Sequence, residues 1–211
     1  MLRRAALLAA AACLAAAGST AQPAGASRYL QVGIYDESQL RYGPTAATVS
    51  QYQKLHVQVA RLTLYWGGPL GVARRRPVHA ANPDDPAYDW TTYDGIAEQL
   101  AAAHIAVVFG ILGTPSWANG GKGLNIAPAH ASDLRAFAYA AALRYSGKYL
   151  SGGATLPAVK DWLAWNEPNN PVFLRPQYRR AGSHWVIASA QAYAKICNSI
   201  YSGVHATGTA N

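Results

Sequence analysis

"WLAWNEPNN", residues Trp162 to Asn170, decides how the rest of the chain is read. The apolar run Trp162-Leu163-Ala164-Trp165 has the composition of a buried strand. It stops at Asn166-Glu167. Pro168 follows, which cannot donate to a strand ladder and fixes a turn. A carboxamide and a carboxylate therefore stand side by side where a buried strand runs out. In α/β proteins sites are built at the carboxyl ends of strands. A carboxylate placed there also raises the question of a second acidic partner.

Outward from this stretch the chain alternates. Tyr29 to Tyr35 reads as a strand, and Thr45 to His56 has helical spacing at Val49, Tyr52 and Leu55. Val59 to Trp66 reads as a second strand. A Gly/Pro/Asn/Asp-rich loop leads to a helix from Thr91 to Ala103. Ile105 to Leu112 is a continuous apolar run, the mark of a strand buried on both faces. A loop from Gly113 to His130 precedes a helix that runs to about Tyr145, with Ser132 as its N-cap. Val159 to Trp165 is the fourth strand, and Ser183 to His205 the fourth helix. The order βαβαβαβα argues for parallel strands with right-handed helical crossovers.

Two architectures have that order. An open doubly wound sheet would carry a Gly-rich phosphate loop after its first strand, but Asp36-Glu37-Ser38 stands there instead. A (β/α)8 TIM-type barrel keeps its site at the C-terminal strand ends. Asp36, Trp66, Trp117, Asn166 and Glu167 all fall at such ends. The α/β barrel is the expected fold, here limited to about four βα units where a full barrel takes about 250 residues.

The 211 residues suit one domain. A hydrophobic fraction of 51% and a charged fraction of 13% exclude a disordered chain. The net charge of +8 is spread out, apart from Arg74-Arg75-Arg76 in a loop, so no nucleic-acid partner is expected. Residues 1–26 read as a signal peptide. Met1-Leu2-Arg3-Arg4 is its basic start, Ala5 to Ala17 is too short to span a bilayer, and Ala24-Gly25-Ala26 fits the cleavage site. Cleavage after Ser19-Thr20-Ala21 is the alternative. The working domain is then 27–211, secreted or periplasmic, with no stable membrane association.

Cleavage removes Cys13 and leaves Cys197, which excludes an internal disulfide and a cysteine-based metal site. His56, His79, His104, His130, His184 and His205 show no metal-ligand spacing. His56 and His104 each end a helix just before a strand, where a histidine suits the helix dipole. No metal and no cofactor are expected.

A carboxyl at a strand end under loop aromatics is partly desolvated, and desolvation moves it toward a general acid. An adjacent Asn both donates to and accepts from sugar hydroxyls. Trp66 and Trp117 at the same rim would stack on a pyranose. These residue types together equip a glycosidase subsite.

The stretch "WLAWNEPN" resembles the signature of the clan A glycoside hydrolases, retaining (β/α)8 enzymes. The resemblance implies that Glu167 is the acid/base and that Asn166 binds the sugar 2-hydroxyl. "VARLTLYW" resembles the second strand of that clan and maps its arginine, which helps hold the nucleophile, onto Arg61. "ILGTPSWANGG" resembles the third-strand end in the cellulase-like and xylosidase-like families 5 and 39. "AALRYSGKY" resembles the helix before strand four. The likeness runs from about Tyr29 to His205. It implies a poly- or oligosaccharide substrate, bound by Asn166, Arg61, Trp66, Trp117 and Asp36.

One element of the pattern is not matched. A retaining glycosidase needs a second carboxylate about 5–5.5 Å from the first, and in this clan it ends strand seven. No Asp or Glu follows Glu167. The expectation is an N-terminal half of such an enzyme, from a truncated or frameshifted gene or an incomplete record, inactive alone. Its open barrel edges would favour self-association. Two alternatives are a non-catalytic carbohydrate-binding half-barrel and a rewired hydrolase pairing Glu167 with Asp36 or Glu37.

Overall fold

The computed structural model describes residues 27 and 29–209. The leader read at residues 1–26, with Cys13, lies outside the described residues. From Gln31 onward the chain forms one compact unit. The short stretch before it belongs to a separate unit, in which the Leu30 N–H bonds the Ser27 carbonyl at 3.0 Å.

The elements are β1 (Gly33–Tyr35), α1 (Glu37–Tyr42), α2 (Thr45–Lys54), β2 (Val59–Tyr65), α3 (Thr91–Ala102), β3 (Ala106–Leu112) and α4 (Ser116–Asn119). There follow α5 (Ala131–Arg144), β4 (Leu150–Ser151), β5 (Ala154–Thr155), β6 (Asp161–Ala164), β7 (Tyr178–Ala181), β8 (His184–Ile187) and α6 (Ala188–His205). Four strands make one parallel sheet in the order β1-β2-β3-β6. β4–β5 and β7–β8 are separate antiparallel hairpins. The order has no switch point, as in a partial TIM-barrel-like fold and unlike a doubly wound sheet.

One face of the sheet packs on the helices. Ala60, Leu62 and Leu64 of β2, and Phe109 and Ile111 of β3, are fully buried there. Full burial of each such Leu, Ile or Phe contributes about 1.5–3 kcal/mol. The other face is more open, with Tyr35 55% and Leu163 39% exposed. The continuous apolar run in β3 therefore does not mean equal burial on both faces, since Ala106 is exposed and Val108 half-buried. α6 crosses α5 closely at Gly203, where a Cβ would meet the Arg135 carbonyl and the Ala138 side chain.

The two helices before β2 and β3 end alike. His56 and His104 have φ of 55° and 59°. The N–H of the next residue reaches back across the turn, Val57 to Tyr52 O at 3.0 Å and Ile105 to Leu100 O at 2.9 Å. These are Schellman ends with histidine as the left-handed residue. The histidines stand just past the helices and turn the chain into the sheet. α5 starts at Ala131 with no side-chain cap, so Ser132 is not its N-cap.

The first strand is shorter than its apolar run, and Glu37 to Tyr42 form a helix. The run read as the start of the last helix, from Ser183, is instead strand β8. The 67–90 loop folds aromatics back into the core, and Trp90 stacks on Phe137 with ring centroids 5.7 Å apart. Buried Arg144 of α5 bonds Asp94 of α3 through Nε at 3.0 Å, and the Tyr145 hydroxyl donates to the same carboxylate at 2.9 Å. Among the described residues, no helix is long and apolar enough to cross a membrane.

Candidate active site

Asp36, Trp66, Trp117 and the Asn166-Glu167 pair each come after the C-terminal end of a strand in the parallel sheet. Asn166 follows β6, while Arg61 lies in β2, two strands away across β3. The Arg61 side chain spans that distance, and its Nη2 donates to Asn166 Oδ1 at 2.8 Å. The guanidinium also lies 4.7 Å from the centroid of the Tyr35 ring. Tyr35 is the residue paired with Arg61 in the β1–β2 register. Arg61 is thus fixed between an aromatic face and a carboxamide, an arrangement its flat fork suits and a lysine does not.

The backbone at this strand end is unusual. Trp165 has φ of 68° and Glu167 has φ of 34°. A left-handed backbone at a bulky residue is uncommon and costs about 1–2 kcal/mol. The Trp165 side chain holds the conformation in place. Its ring is buried, its Nε1 donates to Phe173 O at 2.8 Å, and its N–H donates to Ile111 O at 3.0 Å. Asn170 closes the turn, bonding Glu167 O through its N–H at 2.9 Å and Glu167 Oε2 through Nδ2 at 3.1 Å. The Glu167 side chain is exposed rather than roofed by aromatics.

Trp66 is a correction. It is fully buried, stacked on Phe137 at 5.8 Å and edge-on to Trp117 at 5.6 Å. A ring with no exposed face packs the core and cannot stack on a sugar. Trp117 is half-buried and ties two loops together. Its Nε1 donates to Ala73 O at 2.9 Å, and Arg76 lies 4.7 Å from its ring.

Asp36 caps α1, accepting from the Gln39 N–H at 3.3 Å. Glu37 is engaged more fully. It accepts from the Thr63 N–H at 2.7 Å and from the Tyr35 hydroxyl at 3.0 Å, and it pairs with Arg41. These contacts of the two carboxylates are thus with β1, β2 and α1. Among the described residues no group of histidines, cysteines or acids is placed to hold a metal ion.

Two residues join the site that sequence reading passed over. Tyr35 supplies the exposed aromatic that Trp66 does not. Its signal was its position as the last residue of a strand pattern, in register with an arginine. Asn170 steadies Glu167, three residues on in the same turn. The loop after β6 is also bound to the loop after β3, through Asn125 Nδ2 to Pro171 O at 3.0 Å and the Arg175 N–H to Asn125 O at 2.7 Å.

No family model matches the chain, and no curated protein does. Among solved structures it is similar to a glucosidase from Croceicoccus marinus, with a TM-score of 0.54 and 11% identity. The match covers 75% of this chain and 30% of the glucosidase chain. At that identity the likeness is one of fold.

Proposed function

We propose that this chain carries the acid/base half of a glycoside hydrolase site, for O-glycosyl bonds in a poly- or oligosaccharide. Glu167 is the proton donor and Asn166 the ligand of the sugar 2-hydroxyl, in a retaining mechanism. The observation that supports this most is the 2.8 Å bond from Arg61 Nη2 to Asn166 Oδ1. Arginine only donates, so it turns the amide oxygen inward. The amide NH2 is then left to donate to a hydroxyl beside Glu167. An arginine spent on orienting a neutral amide, next to an exposed carboxyl on strained backbone, fits substrate positioning better than fold stability. Tyr35 offers an aromatic surface on the same sheet face. The leader read in residues 1–26 supports a secreted or periplasmic setting, where polymeric glycans are met.

Protonating a glycosidic oxygen is one part of the reaction. A carboxylate on the opposite ring face must stabilise the oxocarbenium-like transition state. No acidic residue follows Glu167. Of those before it, Glu37 is bonded to Thr63, Asp85 to two loop N–H groups and Asp94 to Arg144. This favours a second reading, glycan binding without turnover by the chain on its own.

The test is a panel of nitrophenyl glycosides and oligosaccharides on the 27–211 chain, Asn166→Ala and Glu167→Gln. Oligosaccharide binding about tenfold weaker in Asn166→Ala is expected, roughly the loss of one hydrogen bond to a ligand. Hydrolysis should stay at background in all three. Turnover that disappears in Glu167→Gln would mean that a second carboxylate is in place, and the half-site reading would fall. Identical glycan binding by parent and Asn166→Ala would remove the sugar site altogether.

A further inference from the structure

From Pro168 onward the chain contains Arg175, Arg179, Arg180 and Lys195 and no acidic residue. The same segment folds the β7–β8 hairpin, inserted between β6 and α6. It pairs Tyr178 with Ile187, Arg179 with Val186, Arg180 with Trp185 and Ala181 with His184. Residues directly opposite share a face, and alternate pairs share the same one. Tyr178, Ile187, Arg180 and Trp185 therefore stand together. Tyr178 is 61%, Ile187 56% and Trp185 64% exposed. The Arg180 guanidinium lies 5.6 Å from the Trp185 ring centroid. Large apolar side chains gathered on one exposed face mark a binding surface rather than ordinary surface scatter.

The hairpin is anchored to the candidate site. At its base Gln177 Nε2 donates to Pro168 O at 3.0 Å and to Leu174 O at 2.6 Å. The Ser189 hydroxyl donates to Gln177 Oε1 at 3.1 Å, and the Ala188 N–H donates to Gln177 O at 2.8 Å. Pro168 directly follows Glu167. The platform and the carboxylate are thus held by one short run of chain.

We propose that the outer face of this hairpin binds an acidic polysaccharide, one bearing carboxylated sugars, as an extension of the Glu167 site. This rests on the glycosidase reading above. Tyr and Trp offer flat apolar area for pyranose faces. Arg180, between them, presents a planar fork that matches a sugar carboxylate bidentately. A neutral glycan would use the rings and leave the guanidinium without an anion. A single-stranded nucleic acid would need a cationic groove tracking its phosphates, whereas this face has one guanidinium among three apolar side chains. The lack of any acid from Pro168 onward means no nearby carboxylate of that segment competes for it.

The experiment measures binding of the full chain to polygalacturonate, to its methyl ester and to a single-stranded DNA oligomer. Polygalacturonate should bind, with affinity about tenfold lower in Trp185→Ala and in Arg180→Gln, a loss typical of one stacking or charge-assisted contact. Trp185→Phe should restore most of it, which separates stacking from misfolding. The methyl ester should bind about tenfold more weakly than the acid. Undiminished binding by Trp185→Ala would overturn the proposal, as would equal affinity for ester and acid, or tighter binding of DNA with the same variant pattern. Polygalacturonate binding that needs Trp185 but is identical in the parent and Asn166→Ala would sink the Asn166-Glu167 sugar site and leave the platform. The reverse pattern would sink the platform alone.

Discussion

At Trp165 and Glu167 the backbone takes a conformation that L side chains resist. Trp165 sits at φ 68° and is held by a buried ring with its Nε1 on Phe173 O. Glu167 sits at φ 34° with its side chain in solvent, so the fold gains little packing from it. Exposed, strained and tied to Asn170, it carries a backbone cost that its own packing does not offset. Glycine takes the left-handed region without steric penalty. Glu167→Gly should therefore be more stable than Glu167→Ala by about 0.5–1 kcal/mol, the reverse of their order in a helix or strand. Urea unfolding of both variants measures this, and an alanine variant at least as stable as the glycine one would show that the site stores no strain. The Asn-Glu pair itself was legible from sequence, because a polar pair at the end of an apolar run needs no tertiary information. The exposure of Glu167 was not legible, since which loops roof a strand end depends on residues far along the chain.

Between elements, the short helix α1 completes the sheet where β1 stops. β1 pairs with β2 only as far as Tyr35 opposite Arg61. Thr63, two residues on, has no strand beside it on that edge. Glu37 takes its N–H at 2.7 Å, and Arg41, one turn later in α1, donates to its carbonyl. The two side chains, spaced i and i+4, do for buried Thr63 what another strand residue would do. Glu37→Ala should cost about 1–3 kcal/mol, the penalty for a buried N–H left without an acceptor. Glu37→Gln keeps an acceptor and should cost less. Chemical denaturation of both variants checks this, and equal losses would mean that the charge rather than the acceptor matters. Helix α1 and hairpin β7–β8 went unread for one reason. α1 carries one buried residue, Leu40, and the hairpin strands are almost wholly exposed, so neither has a periodic apolar stripe.

For the whole molecule, buried and half-buried tyrosines should set the alkaline limit. Burial, with help from Asp36, pushes Tyr52 up to about 12, and burial with help from Asp84 does the same to Tyr149. Burial raises Tyr88 and Tyr145 as well. The folded chain keeps these protons above pH of about 10, where tyrosines of the unfolded chain release theirs. Stability present below that value should be lost as pH rises through about 10 to 12. The acid limit involves Asp85, whose carboxyl is held below its ordinary value by the His79 and Ala87 N–H groups. That contribution should be lost as pH falls through the folded value. Thermal melts from acid to alkaline pH, alongside tyrosinate absorbance, test both limbs. A melting temperature that is flat from about pH 9 to pH 12 would contradict the alkaline one.

The sequence by itself determined the alternation of strands and helices, the parallel order of the four main strands and the strand-end position of Asn166-Glu167. Each of these follows from local apolar periodicity and from which residues break it. Only the tertiary structure decided that Trp66 packs against Phe137 while Tyr35 faces the open side of the sheet, and that Asp36 and Glu37 serve α1 and Thr63. It also decided that Arg61 reaches Asn166 across an intervening strand. The reason is physical. Apolar and aromatic residues look alike in sequence whether they face a core or a cleft, and a charged side chain four or more bonds long reaches partners that only the packing of distant segments brings near.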